Sequence, residues 1–287
     1  MESRILGIGK NIKIQKIKAS GAWEEKQDTI PGEMLLNIFV NGKKVALLSC
    51  SPSRIIELVT GYILSNGYAD DYGDIELVDL CRDKEDGKLD ANDKRTGFYD
   101  MMSARVRIGG YDDRGDPPDG LVPYLSGGCG DLDPAAIVKA FKKNTDLKKS
   151  NKDMVIDFNI ILELGKKLIE KQKHKKEFGG LHSAALFDSK GQMLSLMEDL
   201  GRHNCIDKIF GYMTISNISS KDKMIFTSGR ASLDLVFKAL KMSIPIIVTN
   251  SSVTYNAAEI AQKAGLTLIG YARGKRFNIY SCPERIS

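Results

Sequence analysis

From residue 181 onward, short apolar runs alternate with helical stripes, and this alternation limits the C-terminal half to very few architectures. Leu181 to Phe187 and Met193 to Met197 read as two strands joined by the turn sequence DSKGQ. Met224 to Thr227, Ile244 to Thr249 and Leu266 to Ile269 read as three more. Between these last three lie the stripes Leu233, Val236, Phe237, Leu240 and Ala257, Ile260, Ala261, Ala264, at the spacing of one helix face. Strand–helix–strand alternation of this kind predicts an α/β layer with parallel strands.

The stretch EDLGRHNCIDKIFG, Glu198 to Gly211, interrupts the pattern. Ile206, Ile209, Phe210 and Met213 give it a helical apolar stripe, and Gly201 stands just ahead of the helix. Glu198, Asp199, Arg202, His203, Asn204, Asp207 and Lys208 crowd its start. So many polar groups are not all expected to point into a core. Composition leaves two readings open, a capped and solvated helix start or a ligand site.

The N-terminal half reads as a smaller, β-rich α+β unit. Asn11 to Lys18 is a strand candidate, followed by a polar stretch. Met34 to Val40, Asn41-Gly42 and Lys43 to Cys50 form a β-hairpin, since Asn-Gly suits a two-residue type I′ turn. Ser51-Pro52 is expected to open a helix with the stripe Ile55, Leu58, Val59, Tyr62 that ends at Gly67. Asp74 to Cys81 and Ser103 to Ile108 are further strands around a charged loop, Asp83 to Gly97. Gly109 to Gly130 is a Gly-, Pro- and Asp-rich loop, and Asp133-Pro134 opens a helix through about Lys143. A helix over Asn159 to Lys176 follows. The expected division is a β-rich domain over 1–125, a cysteine loop and connecting helix over 126–150, and an α/β domain over 151–287.

The net charge of +5 and pI of about 8.8 suit an anionic ligand or an acidic partner, without the basic stripe of a nucleic-acid binder. The densest basic run, Lys166 to Lys176, reads as a solvated helix end. No secretory h-region and no apolar run long enough for a membrane span is present, so a cytoplasmic location without membrane or nucleic-acid partners is expected. The five cysteines form no CxxC pair, which excludes a zinc ribbon and a disulfide framework.

In α/β sheets ligands gather beyond the carboxyl ends of the strands. Three segments lie there: SGRAS with Ser228, Gly229 and Arg230; NSSVT with Ser251; and Tyr271, Ala272, Arg273, Gly274, Lys275, Arg276. Their hydroxyls, helix N-termini and up to four cations point to a phosphate-bearing ligand, with helix capping as the plain alternative. GIGK at Gly7 lacks the length and hydroxyl of a P-loop. His182 in GGLHSAAL and His203 are two of only three histidines. Zinc deaminase chemistry needs H-x-E and P-C-x-x-C; here the glutamate position is Ala184 and no PCxxC occurs. Cys129, between Gly128 and Gly130, has the access that persulfide transfer demands, while Cys50, Cys81, Cys205 and Cys282 read as structural.

These motifs in this order closely resemble the formate dehydrogenase accessory sulfurtransferase family (FdhD/NarQ): GYILSNG, GGLHSAALF, EDLGRHNCIDK, SGR, TLIGYARGKRFNIY and NIYSCPERI. The resemblance implies a C-terminal domain with the cytidine-deaminase-like α/β fold. It implies a sulfur carrier whose loop cysteine, here Cys129, takes persulfide sulfur from a cysteine desulfurase. The sulfur would pass to a molybdenum or tungsten bis(molybdopterin guanine dinucleotide) cofactor, bound as a substrate, for the formate dehydrogenase catalytic subunit. No metal would be held by the protein directly, and a homodimer is implied. Tyr271 to Arg276 match the family's cofactor-binding segment. His182, Arg202, His203 and Asn204, with Ser228, Gly229, Arg230 and Ser251, complete the expected binding set. The family's frequent second loop cysteine is Leu132 here, so transfer would use Cys129 alone. The alternatives are a non-catalytic chaperone for the same dinucleotide cofactor, and a metal hydrolase.

Overall fold

A computed structural model describes residues 8–82, 100–110 and 154–287. Cys129, most of the Gly109 to Gly130 loop, the Asp133–Lys143 helix and the Asp83–Gly97 loop lie outside the described residues.

Two sheets carry the fold. The smaller has four strands in the order β4–β3–β6–β5: β3 (Met34–Val40), β4 (Lys43–Cys50), β5 (Ile75–Arg82) and β6 (Asp100–Ile108). The Asn41-Gly42 turn forms as expected, with φ of 44° and 85°. Alternate residues Met34, Leu36, Ile38 and Val40 of β3 face inward against α1 (Ile55–Ser65). This helix starts later than Pro52. Ser51 N–H donates to Asp199 Oδ2 and the Leu200 N–H donates to Ser51 Oγ, so the segment expected as a first turn is drawn to the other sheet. The helix ends as expected, with Gly67 N–H to Leu64 O and Tyr68 N–H to Ile63 O.

The larger sheet has the order β12–β11–β10–β9–β7–β8. It comprises β7 (His182–Asp188), β8 (Met193–Asp199), β9 (Lys223–Thr227), β10 (Ile246–Thr249), β11 (Thr267–Arg273) and β12 (Arg276–Ser281). Strands β9, β10 and β11 are parallel, as the alternation predicts; β7 is antiparallel to both its neighbours β8 and β9, and β12 is antiparallel to β11. One face is covered by α4 (Arg202–Ile215), α5 (Leu233–Lys241) and α6 (Tyr255–Ala264) over a core that includes Leu186, Ile225, Val236 and Leu268. The other face is covered by α2 (Phe158–Lys171), whose Ile161, Leu164 and Leu168 pack on Phe187, Phe226 and Val248. The single helix expected over Asn159 to Lys176 is broken. Buried Gln172 leaves the helix to bond Ser183 Oγ, and a short α3 (His174–Phe178) follows. Strand β1 (Gly9–Ile17) pairs with β2 (Trp23–Pro31), which had no sequence signal because its exposed faces carry mostly polar residues. Among the described residues no helix is long and apolar enough to cross a membrane.

The sheets are joined by α1 and α4, which cross at glycines. A Cβ on Gly61 would lie 1.8 Å from the Asp207 carbonyl oxygen, and one on Gly211 would lie 1.9 Å from that of Glu57. Phe210, beside this crossing, packs against both cores. Replacing Gly211 with alanine should therefore lower unfolding stability by about 3 kcal/mol, because two helix backbones must separate. Gly73→Ala, whose added Cβ would find nothing nearer than 3.8 Å, should change it by less than about 0.5 kcal/mol. Denaturant unfolding of both variants checks this.

Candidate functional site

Strand polarity gathers the expected residues along one edge of the larger sheet. Ala184 pairs with Thr227 and His182 with Asp199, so the start of β7 lies beside the ends of β8 and β9. The loops after β9 and β10 are laced to this edge. Ser183 N–H donates to Ser228 Oγ, Thr249 Oγ1 to the Gly229 carbonyl and Tyr271 N–H to the Ser251 carbonyl. Gly229 has no room for a side chain because its Cβ would lie 2.8 Å from Arg202 Cβ.

The edge divides the expected residues into two groups. His182, Arg202, His203 and Asn204 line a cavity of about 400 Å³ between the two sheets. Ser228, Gly229, Arg230, Ser251 and Tyr271 to Arg276 lie further along the edge. Tyr271–Arg276 is not a free loop but a hairpin tip, since β11 continues to Arg273 and turns at Gly274-Lys275 into β12. Arg273 and Arg276 pair directly across that hairpin, and the Arg273 guanidinium lies 5.8 Å from the Tyr271 ring centre. Arg230, Arg273, Lys275 and Arg276 are exposed, whereas the Ala272 side chain belongs to the core against α2.

The polar helix start is neither solvated nor wholly given to the cavity, and this corrects the expectation from its composition. Asp199 and Lys208 are fully buried and paired at 2.5 Å. Asp199 also accepts from Ser51 N–H, Gly201 N–H and Asn204 Nδ2, and Asn204 Nδ2 donates to the Ser49 carbonyl as well. This carboxylate thus ties β8, α4 and the β4–α1 connection together. Asp207 is held on both oxygens by Lys238 Nζ, at 2.7 and 2.6 Å, and by Ser65 Oγ at 2.8 Å. Burial opposes the Lys238 charge, but Asp207 and Asp234 outweigh it and raise its pKa.

The cavity histidines are neutral near pH 7. Burial, with Lys175 and Arg202 nearby, lowers His182. Burial takes His203 down to about 4, Lys238, Arg202 and His182 adding to the effect and Asp234 opposing it. His203 Nε2 lies 3.3 Å from Asp234 Oδ2 and 3.4 Å from Ser232 Oγ. A carboxylate only accepts, so the tautomer with its proton on Nε2 is the one that makes this contact attractive.

The sequence did not point to Leu47, Ser49, Tyr62, Asn66, Asp234 and Lys238 as site residues; they also line the cavity, from β4, α1 and its C-cap, and α5. Lys238 lies beside the apolar stripe of α5, and a lysine buried there is the one trace a sequence could carry. Burial pushes the Cys50 thiol up to about 12 and also raises Cys205 and Cys282, consistent with structural roles.

Residues 31–287 match the FdhD/NarQ family. The chain belongs to that family. A relative from Sulfolobus acidocaldarius, named sulfur carrier protein FdhD, is 33% identical over 96% of this chain and 98% of its own length. The protein of that name from Listeria innocua is 29% identical over 96% and 97%. A crystal structure from Desulfotalea psychrophila, described as a formate dehydrogenase accessory protein, superposes with a TM-score of 0.72 at 20% identity, covering 98% of this chain and all of that one. That structure supports the shared fold.

Two outcomes follow from the buried titratable groups. Lys208→Met strands Asp199 in the interior and should cost about 3–5 kcal/mol of unfolding stability, with Asp199→Asn/Lys208→Met losing less than the sum of the single changes. His203 falls from 6.5 in the unfolded chain to about 4 in the fold. Its stabilising effect is therefore complete above 6.5 and is lost as pH falls toward 4. His203→Asn should flatten the stability-versus-pH curve across that window by on the order of 3 kcal/mol relative to wild type.

Proposed function

We propose that this chain is a sulfur carrier serving formate dehydrogenase, with Cys129 as the carrying residue. Its family, and relatives named sulfur carrier protein, support the broad role. In the proposed first step the Cys129 thiolate attacks the terminal sulfur of a cysteine desulfurase persulfide. The donor's S–S bond breaks, its cysteine leaves as thiolate, and Cys129 becomes the persulfide. In the proposed second step two equivalents of a thiol reductant release the terminal sulfur as sulfide, becoming a disulfide and returning Cys129 to a thiol, and the sulfide would replace an oxygen ligand of the molybdenum or tungsten bis(molybdopterin guanine dinucleotide) substrate, which leaves as water. A cytidine-deaminase-like larger sheet, a cytoplasmic location and a homodimer belong to the same reading.

The observation that carries the binding half of the proposal is the Arg273–Arg276 pair. Like charges directly opposite each other on a hairpin are destabilising. A phosphate placed across them reverses that penalty, and Arg is suited to bidentate phosphate contacts. The hairpin tip lies on the same sheet edge as the cavity, separated from His182 by the ends of β9 and β10. Strands lie about 4.8 Å apart, so β7 and β11 are roughly 14 Å apart, a span suited to an extended dinucleotide. Neutral His182 and His203 with Arg202 would line its other end.

Incubation with a cysteine desulfurase and cysteine should add one sulfur to the wild-type protein, seen by intact mass spectrometry, and none to Cys129→Ala. A Cys129→Ala protein that still supports active formate dehydrogenase in cells would replace this reading with that of a cofactor-binding chaperone.

A further inference from the structure

The smaller sheet carries charge on the face turned away from its core. On β6, Ala104, Val106 and Ile108 are buried in the core beneath α1, while Arg105 and Arg107 between them are exposed on the opposite face. Leu77 lies opposite Arg107 on β5 and is 48% exposed. These three line an open recess of about 660 Å³ together with Gly109 and Gly110. The carboxylates of the recess are tied locally. Asp79, opposite Arg105, accepts from Cys81 Sγ, and Glu76 sits in the β5 bulge beside Gly109. Neither guanidinium has a hydrogen-bond or ion-pair partner among the described residues. Alternate residues of a strand lie about 7 Å apart, so the two cations repel each other until an anion is placed between them.

We propose that this recess is the surface on which the sulfur-donor protein docks, its acidic side chains pairing with Arg105 and Arg107 and an apolar side chain covering Leu77. Arginine is enriched in protein interfaces, and its planar fork takes a carboxylate on both oxygens. The place of the recess in the chain points to the donor as the occupant. The chain leaves the sheet at Gly110, and Cys129 follows 19 residues later. A coil of that length spans on the order of 25 Å, so a donor seated here holds its persulfide within reach of Cys129. The face also looks away from α1, and therefore away from the larger sheet that α1 joins through α4. Donor and cofactor substrate could then be engaged at the same time. A second copy of this chain is a poorer occupant, since a two-fold contact through this face would set arginine against arginine. The assignment rests on the carrier reading above and adds the surface that brings the donor to it.

The test compares two donors of the same sulfur to the full-length protein. One is the cysteine desulfurase of the same organism, charged with persulfide by cysteine. The other is glutathione persulfide, which needs no docking surface. With either, the Cys129 thiolate attacks the terminal sulfur and the donor leaves as thiolate. Intact mass spectrometry follows the added sulfur with time. Electrostatic steering raises association rates by about 10- to 1,000-fold. Arg105→Glu/Arg107→Glu should therefore load from the desulfurase at least about 10-fold more slowly than wild type, and from glutathione persulfide within about twofold of it. Added salt should slow the desulfurase reaction of the wild type and not that of the variant. Equal rates of wild type and variant with the desulfurase overturn the proposal. So does an equal loss with glutathione persulfide, which would place the effect on Cys129 itself. So does an equal loss from Lys13→Glu/Lys26→Glu on the exposed β1–β2 ribbon, which would be an effect of net charge. If Arg105→Glu/Arg107→Glu does not fold, Arg105→Gln/Arg107→Gln decides by the same comparison. A wild type that loads from glutathione persulfide alone overturns the docking surface. A wild type that takes sulfur from neither donor overturns the carrier reading and the docking surface together, whereas loading from both without any change in the variant removes the docking surface only.

Discussion

Everything in this molecule depends on how closely α1 can approach α4. At Gly61 and Gly211 the two helix backbones meet with no space for a methyl group. That contact sets the separation of the two sheets and leaves the cavity open beside it. Asp199 fixes the other end of the same joint by accepting from Ser51, Gly201, Asn204 and Lys208 at once. The contact is short-range at one end and electrostatic at the other, so the sheets have little freedom to slide.

The buried ions sit at this joint for a reason of geometry more than of stability. Burying an ion pair costs desolvation that its own attraction rarely exceeds by much. Asp199–Lys208 and Asp207–Lys238 instead fix direction, because each carboxylate has several donors that fit only one arrangement of the sheets. Their saturation also sorts the cavity chemistry. Charges that could have met a ligand are occupied by one another, leaving Arg202, two neutral histidines and Asp234 to face it. Further along the edge the hairpin carries the opposite arrangement, with Arg273 and Arg276 opposed and exposed. The dinucleotide substrate proposed above, with phosphates and a heterocycle, is matched to both.

Local signals determined much of this fold. The β3–β4 hairpin with its Asn-Gly turn, the Gly67 helix stop, the three parallel strands and their covering helices all follow from periodicity and turn chemistry that act over a few residues. The edge residues His182, Ser228, Ser251 and Arg273 were legible for the same reason, since strand direction alone places them. Tertiary structure decided the rest. Ser51-Pro52 has the local chemistry of a helix start, but Asp199, distant in sequence, captures Ser51 and delays the helix. Gln172 breaks an otherwise continuous helix to reach Ser183. Asp207 and Lys208 look like solvent-facing charges until their partners on α5, α1 and β8 are known. Asp234 reads as an ordinary first-turn acid and becomes a cavity wall only when α5 packs beside α4 and α1. Short-range preferences are written residue by residue, whereas the burial of a charge depends on partners that only the packed chain brings within reach.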